Sequence, residues 1–137
     1  MTEPSLALQS AIRARLVASS AVTSLVPAAS ILDRNAGPEL DNAIIIGEGM
    51  TVPDDGLARN RHEAFADLHI WRKEPGLVGA KQIAGAIRAA LADGPLAVAG
   101  YHVADLRIAS TRFLRDPNGT HSHGVVALEA RLMEVTT

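Results

Sequence analysis

The chain has 137 residues, of which 47% are hydrophobic and 3% aromatic, and its 13 basic and 15 acidic side chains give a formal charge of -2. This length fits one domain, residues 1–137, which can bury an ordinary core. The absence of cysteine excludes a disulfide framework, a thiol nucleophile and a thiolate zinc site. The balanced charge argues against a protein whose main task is to grip phosphates, because such domains usually carry a strong basic excess.

The first quarter of the chain predicts helical structure. The chain does not start with basic residues followed by an apolar run, as a secretory signal would. No window approaches the roughly 18 apolar residues of a membrane span, so we expect a protein that is made in the cytoplasm and does not cross a membrane. Leu8, Ile12 and Leu16 recur at intervals of four, which predicts an amphipathic helix with Ser5 as its N-cap. A second helical turn is expected over residues 20–26 and a brief strand over residues 30–33.

The middle of the chain predicts a strand followed by a long loop. Residues 44–46 are three successive isoleucines, which favour a buried strand that stops at Gly47. Residues 47–60 lose periodicity and collect glycine, proline and aspartate, so we expect a flap there. Loops of this length are usually functional or mobile, and the flap is therefore our first interaction candidate.

The rest of the chain alternates strand and helix patterns. Residues 62–73 alternate with one apolar and one mixed face, and residues 77–92 carry a helical apolar stripe. Two further alternating segments, over about 101–114 and 122–135, flank a turn at 116–119. All four aromatic rings fall on these strands. We predict an α+β fold: a mainly antiparallel sheet of about four to five strands with two helices packed on one face.

Several polar residues suggest chemistry, but each also has a plainer structural explanation. His121 and His123 would point to the same side of a strand and could share a metal, although they supply only two ligands. His69 could act as a base, and Asp54 and Asp55 could hold a divalent cation with Glu48, although the calcium-loop spacing is missing. Solvated turns and strand edges account for these residues more readily, so no cofactor or metal is expected.

A family resemblance covers nearly the whole chain. The order of elements and several local strings resemble the small tail-terminator, or tail-completion, proteins of long-tailed phages and phage-derived gene transfer agents. The most specific part is a strand ending in His69, Ile70 and Trp71 before an alanine-rich helix. The remaining strings are residues 8–16, 22–26 and 31–33, Gly47 with Glu48, the stripe of Ile83, Ile87 and Leu91, Arg112, residues 116–119 and residues 123–126. Members usually have a proline and an aromatic residue where this chain has Asn42 and Ala43.

The resemblance implies a structural virion protein and no catalytic residues. It implies a hexameric ring, assembled in the bacterial host cytoplasm, that caps the tail tube at the neck. The ring would join the tube protein to the head-tail connector and let DNA pass without sequence-specific binding. The alternative from the residues is a small α+β enzyme that binds a metal or ligand through His121 and His123, with His69 and Asp54 or Asp55. The candidate interface residues are Met50, Asp54, Asp55, Arg59, Arg61, Arg112, Arg115, Asn118, His121 and His123.

Overall fold

The computed structural model describes residues 2–33 and 41–135, which form one five-stranded sheet with helices on one face. The sheet order is β1-β2-β3-β5-β4; β1 pairs with β2 in parallel and the other three pairs are antiparallel. The predicted α+β class is confirmed, but the sheet is mixed rather than purely antiparallel. The elements are α1 Pro4–Ala18, α2 Ser20–Thr23, β1 Ile31–Asp33, β2 Asn42–Pro53, β3 Arg61–Lys73, α3 Val78–Leu91, β4 Tyr101–Arg115 and β5 His121–Glu134, with a 3-10 turn at Ala28–Ser30.

The main core lies between the sheet and the two long helices. Leu8, Ile12 and Leu16 of α1 are fully buried, as the helical period predicts. They pack with one face of β3, which contributes Leu68 and Ile70. We call the opposite face of the sheet the open face, although a small cluster of Ala43, Ile45 and Trp71 is buried on it. Burial of each such side chain stabilises the fold by roughly 1.5–3 kcal/mol. None of the helices in the two described ranges has the length and apolar character needed to cross a membrane.

Helix α1 begins at Pro4 and is capped by Glu3, so the prediction of Ser5 as N-cap is wrong. The Leu6 amide donates to Glu3 Oε1 at 3.0 Å, and the Thr51 hydroxyl donates to Glu3 Oε2 at 2.6 Å. Hydrogen bonds from Ser5 and Thr51 lower the pKa of Glu3. The side chain of glutamate is longer than that of serine, so it can cap the helix and bind β2 at the same time. Pro4 is well suited to the first helical position.

The C-terminus of α3 is bound by an arginine from α1. Arg15 Nη1 donates to the carbonyl oxygens of Ala90 at 3.0 Å and Asp93 at 2.9 Å, and Nη2 donates to that of Pro95 at 2.8 Å. These carbonyls follow or end the helix, where the last backbone acceptors have no intrahelical donor. Arg15 therefore satisfies the end of α3 and fixes it against α1.

The N-terminus of α3 is bound by Glu74, which follows β3. Glu74 Oε1 accepts from the Gly79 amide at 2.8 Å, and Oε2 accepts from the Ala80 amide at 3.0 Å and the Ser122 hydroxyl at 2.6 Å. A Cβ on Gly79 would lie 2.7 Å from Glu74 Oε2, so only glycine leaves room for the carboxylate. Burial opposes ionisation, but the bonds from Ser122, Gly79 and Ala80 prevail and lower the pKa of Glu74.

The expected flap over residues 47–60 is wrong in its first half, because β2 continues to Pro53. Ile46 pairs with Leu68, whereas Gly49 pairs with Ala66, so Gly47 and Glu48 together oppose one residue of β3. This β-bulge interrupts the alternation of side chains and explains why the segment lacks strand periodicity. Only residues 54–60 connect β2 to β3.

Candidate functional site

The ten candidate interface residues fall into two groups at opposite ends of the sheet. Strand β3 has 13 residues, and at about 3.3 Å per residue its ends lie about 40 Å apart. The fold therefore does not gather these residues into one site. Met50, Asp54, Asp55, Arg59 and Arg61 lie at the β2–β3 end, and Arg112, Arg115, Asn118, His121 and His123 lie at the β4–β5 end.

The β2–β3 end is exposed and carries apolar side chains. Met50 is 54% exposed, and Leu57, in the connection itself, is fully exposed. The Asp55 amide donates to Asp54 Oδ1 at 2.8 Å, an ordinary turn contact. Glu48, the third carboxylate of the cation site considered above, instead contacts His69. Within residues 2–33 and 41–135 no three histidine, aspartate or glutamate side chains are grouped so that they could hold a metal.

At the β4–β5 end, His121 and His123 lie on one face of β5 but have different partners. His121 is buried, with Nδ1 2.9 Å from the Thr120 hydroxyl and Nε2 3.6 Å from Asp41 Oδ1. His123 Nε2 lies 2.8 Å from Nδ1 of His69 on β3. The two histidines that meet are thus His69 and His123, which are 54 residues apart in sequence.

We call His69 and His123 the imidazole pair, and it sits within a continuous polar and aromatic cluster. The Trp71 ring lies flat on His123, with centroids 3.9 Å apart and planes inclined by 9°. On the far side, His69 Nε2 lies 3.1 Å from Glu48 Oε1 in the β2 bulge. Burial lowers the pKa of His123, and His69 and Arg112 act in the same direction. The cluster links β2, β3 and β5 on the open face of the sheet.

Gly47, in the bulge, is the position of this cluster where a larger side chain has the least room. A Cβ on Gly47 would lie 2.6 Å from Cδ2 of His69, whose side chain is 10% exposed and held on both sides. We expect Gly47→Ala to lower the free energy of unfolding by about 1–3 kcal/mol, because the imidazole must leave its packed position. Urea denaturation checks this, with Gly56→Ala as control since a Cβ at Gly56 meets nothing within 4 Å. Equal stability of the two variants would contradict the packing argument.

The open face beyond the imidazole pair is covered by compensating charges. Arg107 Nε donates to Glu129 Oε2 at 3.0 Å, and Arg131 lies 3.7 Å from Glu63. These side chains line a shallow groove of about 600 Å³, together with Phe65. Arg107 is therefore neutralised, whereas Arg112 and Arg115, further along β4, are exposed cations without an ion pair among the described residues.

Sequence reasoning named His123 but missed its partnership with His69. The signal that could have found it is the mixed face of residues 62–73, which places His69 and Trp71 on the same side as the histidines of the last strand. The sequence does not give the register between β3 and β5. His69 pairs with Val125 and Trp71 with His123, and this register brings the rings together.

Comparisons with known proteins give one family match and two solved structures with a similar fold. A family model described as tail completion protein gp17 matches residues 10–133. The fold is similar to a chain in the virion of a native gene transfer agent particle, with a TM-score of 0.78 and 18% identity over 92% of this chain and 94% of that one. It is also similar to the bacteriophage SPP1 gp17 protein, with a TM-score of 0.60 and 20% identity over 97% of this chain and 92% of that one.

At these identities the structural likeness describes the fold, whereas the family match rests on the sequence itself. A search of curated proteins gives no match. The family model spans all but the first nine and the last four residues, and it confirms the resemblance drawn from the local strings. The chain belongs to the tail completion protein gp17 family.

Proposed function

We propose that this protein is a structural component of a phage or gene transfer agent tail. In this proposal six copies form a ring at the neck that caps the tail tube and meets the head-tail connector, and DNA passes through the ring. The single observation that carries the proposal is the match of residues 10–133 to the tail completion family. Assembly in the bacterial host cytoplasm belongs to the same proposal.

The size of the domain supports a ring of copies. A chain of 137 residues has a radius of gyration of about 14 Å, which is too small to enclose a channel for DNA. A conduit must therefore come from several copies, and closed rotational symmetry is the usual solution. The two exposed ends of the sheet, about 40 Å apart, offer separate surfaces for the tube and for the connector.

The charge distribution suits a passage that does not retain DNA. The formal charge is -2, and the arginines at the centre of the open face are compensated by Glu63 and Glu129. A strongly basic lining would hold phosphates through counterion release and slow the passage of DNA. We propose that Arg112 and Arg115, which have no ion pair within residues 2–33 and 41–135, face protein partners rather than the channel.

The enzyme alternative has less geometric support. It requires the imidazoles of His121 and His123 to act together with Asp54 or Asp55. Those aspartates follow the end of β2, and the histidines lie in β5 at the opposite end of the sheet. A single metal or ligand site cannot use both groups.

Light scattering coupled to size-exclusion chromatography tests the proposed function. We expect a species of about 86 kDa, six times the 14.4 kDa chain, either alone or after mixing with the tail tube protein of the same particle. The mixture is the decisive sample, because a ring can form on the tube alone. A protein that stays monomeric in both samples, with no binding to the tube, would contradict the proposal.

A further inference from the structure

The sheet has two strand edges that pair with no other strand within residues 2–33 and 41–135. One is the outer edge of β4, where β5 is the only paired strand of the described ranges and Tyr101 forms an isolated bridge to Val98. The other is the last part of β2, because β1 pairs only with residues 44–46. Unpaired strand edges present backbone donors and acceptors that a further strand can bind. We call residues 49–53 the β2 edge and residues 110–115 the β4 edge.

The β2 edge is regular, apolar and flanked by acidic groups. After the bulge, Gly49 through Pro53 pair with β3 without further irregularity. Met50 and Val52 are 54% and 39% exposed and lie on the open face of the sheet. Glu48 precedes the edge and Asp54 follows it. An exposed regular strand with large apolar side chains invites pairing with another chain.

The β4 edge is also regular but basic. Strand β4 has irregularities after Val103 and after Ile108, and residues 110–115 then pair with β5 in unbroken register. Arg112 and Arg115 are exposed, and Leu114 between them is 41% exposed on the same sheet face as Met50. Irregularities interrupt the hydrogen-bonding pattern of an edge and disfavour its pairing with another strand. The first part of β4 is therefore unsuited to pairing, whereas residues 110–115 keep a regular backbone, and their charges select the partner.

Charge favours pairing of unlike edges and disfavours pairing of like ones. Two β4 edges would bring the arginines of both copies together, and like charges across a strand pair are destabilising. A β2 edge offers Glu48 and Asp54 to those arginines, and Met50 and Val52 to Leu114. The two edges have similar length, five and six residues. Specificity then comes from attraction in one arrangement and repulsion in the other.

We propose that the β2 edge of one copy pairs with the β4 edge of the next copy, so that one sheet continues across each subunit boundary. The two edges lie at opposite sides of the sheet order, so the contact is head-to-tail and propagates from copy to copy. This inference rests on the proposed ring. It adds the surface through which the copies recognise each other.

Cysteine cross-linking tests the pairing directly, because the native chain has no cysteine. Met50→Cys and Leu114→Cys are made as single variants and treated with a short bis-maleimide that spans diagonal neighbours on paired strands, about 7–8 Å. We expect a covalent dimer in the mixture of the two variants and none in either alone. The double variant should give a ladder of oligomers. Val78→Cys, 68% exposed on α3, mixed with Leu114→Cys is the matched control and should stay monomeric.

The outcomes separate this inference from the proposed function. Cross-linking is performed on whichever sample, alone or with the tube protein, shows assembly by light scattering. Assembly without a mixed dimer, or a dimer of Met50→Cys alone, overturns the edge pairing and leaves the ring intact. A chain that stays monomeric with and without the tube overturns both.

Charge reversal gives a second measurement of the same contact. We expect Arg112→Glu to raise the protein concentration needed for assembly by about tenfold at low salt, with a smaller effect at high salt. Arg88→Glu makes the same change of charge on the exposed side of α3 and should leave assembly unchanged. Equal effects of the two variants would show that net charge alone matters, which overturns the assignment of the β4 edge.

Discussion

Replacement of Glu74 by alanine is expected to lower the free energy of unfolding by about 3 kcal/mol, because hydrogen bonds to a charged group contribute most when the partners are buried. The variant leaves the Gly79 and Ala80 amides and the fully buried Ser122 hydroxyl without their carboxylate. Denaturant titration measures the loss. Ser122→Ala, which removes one of these bonds, should cost about 1 kcal/mol. A Glu74→Ala variant as stable as the native protein would contradict this role.

The same carboxylate predicts a pH dependence with a definite sign. Because the pKa of Glu74 is lowered in the folded protein, its ionised form stabilises the fold above the unfolded pKa, ordinarily 4.5. This contribution is lost as the pH falls through the lower folded pKa. The Glu74→Gln variant keeps the shape of the side chain but does not titrate. The difference in free energy of unfolding between the native protein and this variant should therefore shrink below about pH 4.5. A constant gap from neutral to strongly acidic pH would rule out the linkage.

Replacement of Arg15 by alanine is expected to cost about 2–3 kcal/mol, because three backbone carbonyls around the end of α3 lose a charged donor at once. Arg15→Lys should retain part of this stability, since one ammonium cannot reproduce the planar fork of the guanidinium. Thermal unfolding checks both variants. Arg88→Ala is the matched control, because Arg88 is exposed on α3. The free energy of unfolding of this variant should differ from that of the native protein by no more than about 0.5 kcal/mol. Comparable losses for Arg15→Ala and Arg88→Ala would contradict the bridging role.

The regular elements of this fold could be predicted because their periods are undisturbed. The stripe of Leu8, Ile12 and Leu16 located α1, and the alternation over residues 62–73 located β3 within one residue. Their apolar faces are those that the structure buries. Where a single physical effect, burial of one face, decides the conformation, the sequence carries enough information.

The irregular positions could not be predicted because they depend on partners distant in sequence. The bulge at Gly47 and Glu48 is defined by β3, and Gly47, which accommodates His69, is one of the residues that made the segment resemble a loop. The parallel pairing of β1 with β2 likewise leaves no local signal. Glu3 caps α1 in place of Ser5 through a contact with Thr51 on another element. The ten candidate interface residues form one set in the sequence, and only the register of the sheet separates them into two groups.

The central position of β3 and β5 in the sheet order makes folding depend on one non-local step. The β2–β3 and β4–β5 hairpins close through short connections, whereas the residues that β3 and β5 pair are separated by between 48 and 72 residues, with α3 lying in between. Hairpins form in microseconds, but joining two of them costs the closure entropy of the intervening chain. We therefore expect pairing of β3 with β5, which closes the segment that contains α3, to be the slow step that completes the sheet. Until then the growing chain carries two separate, partly exposed hairpins, a state in which newly made copies are most prone to aggregate.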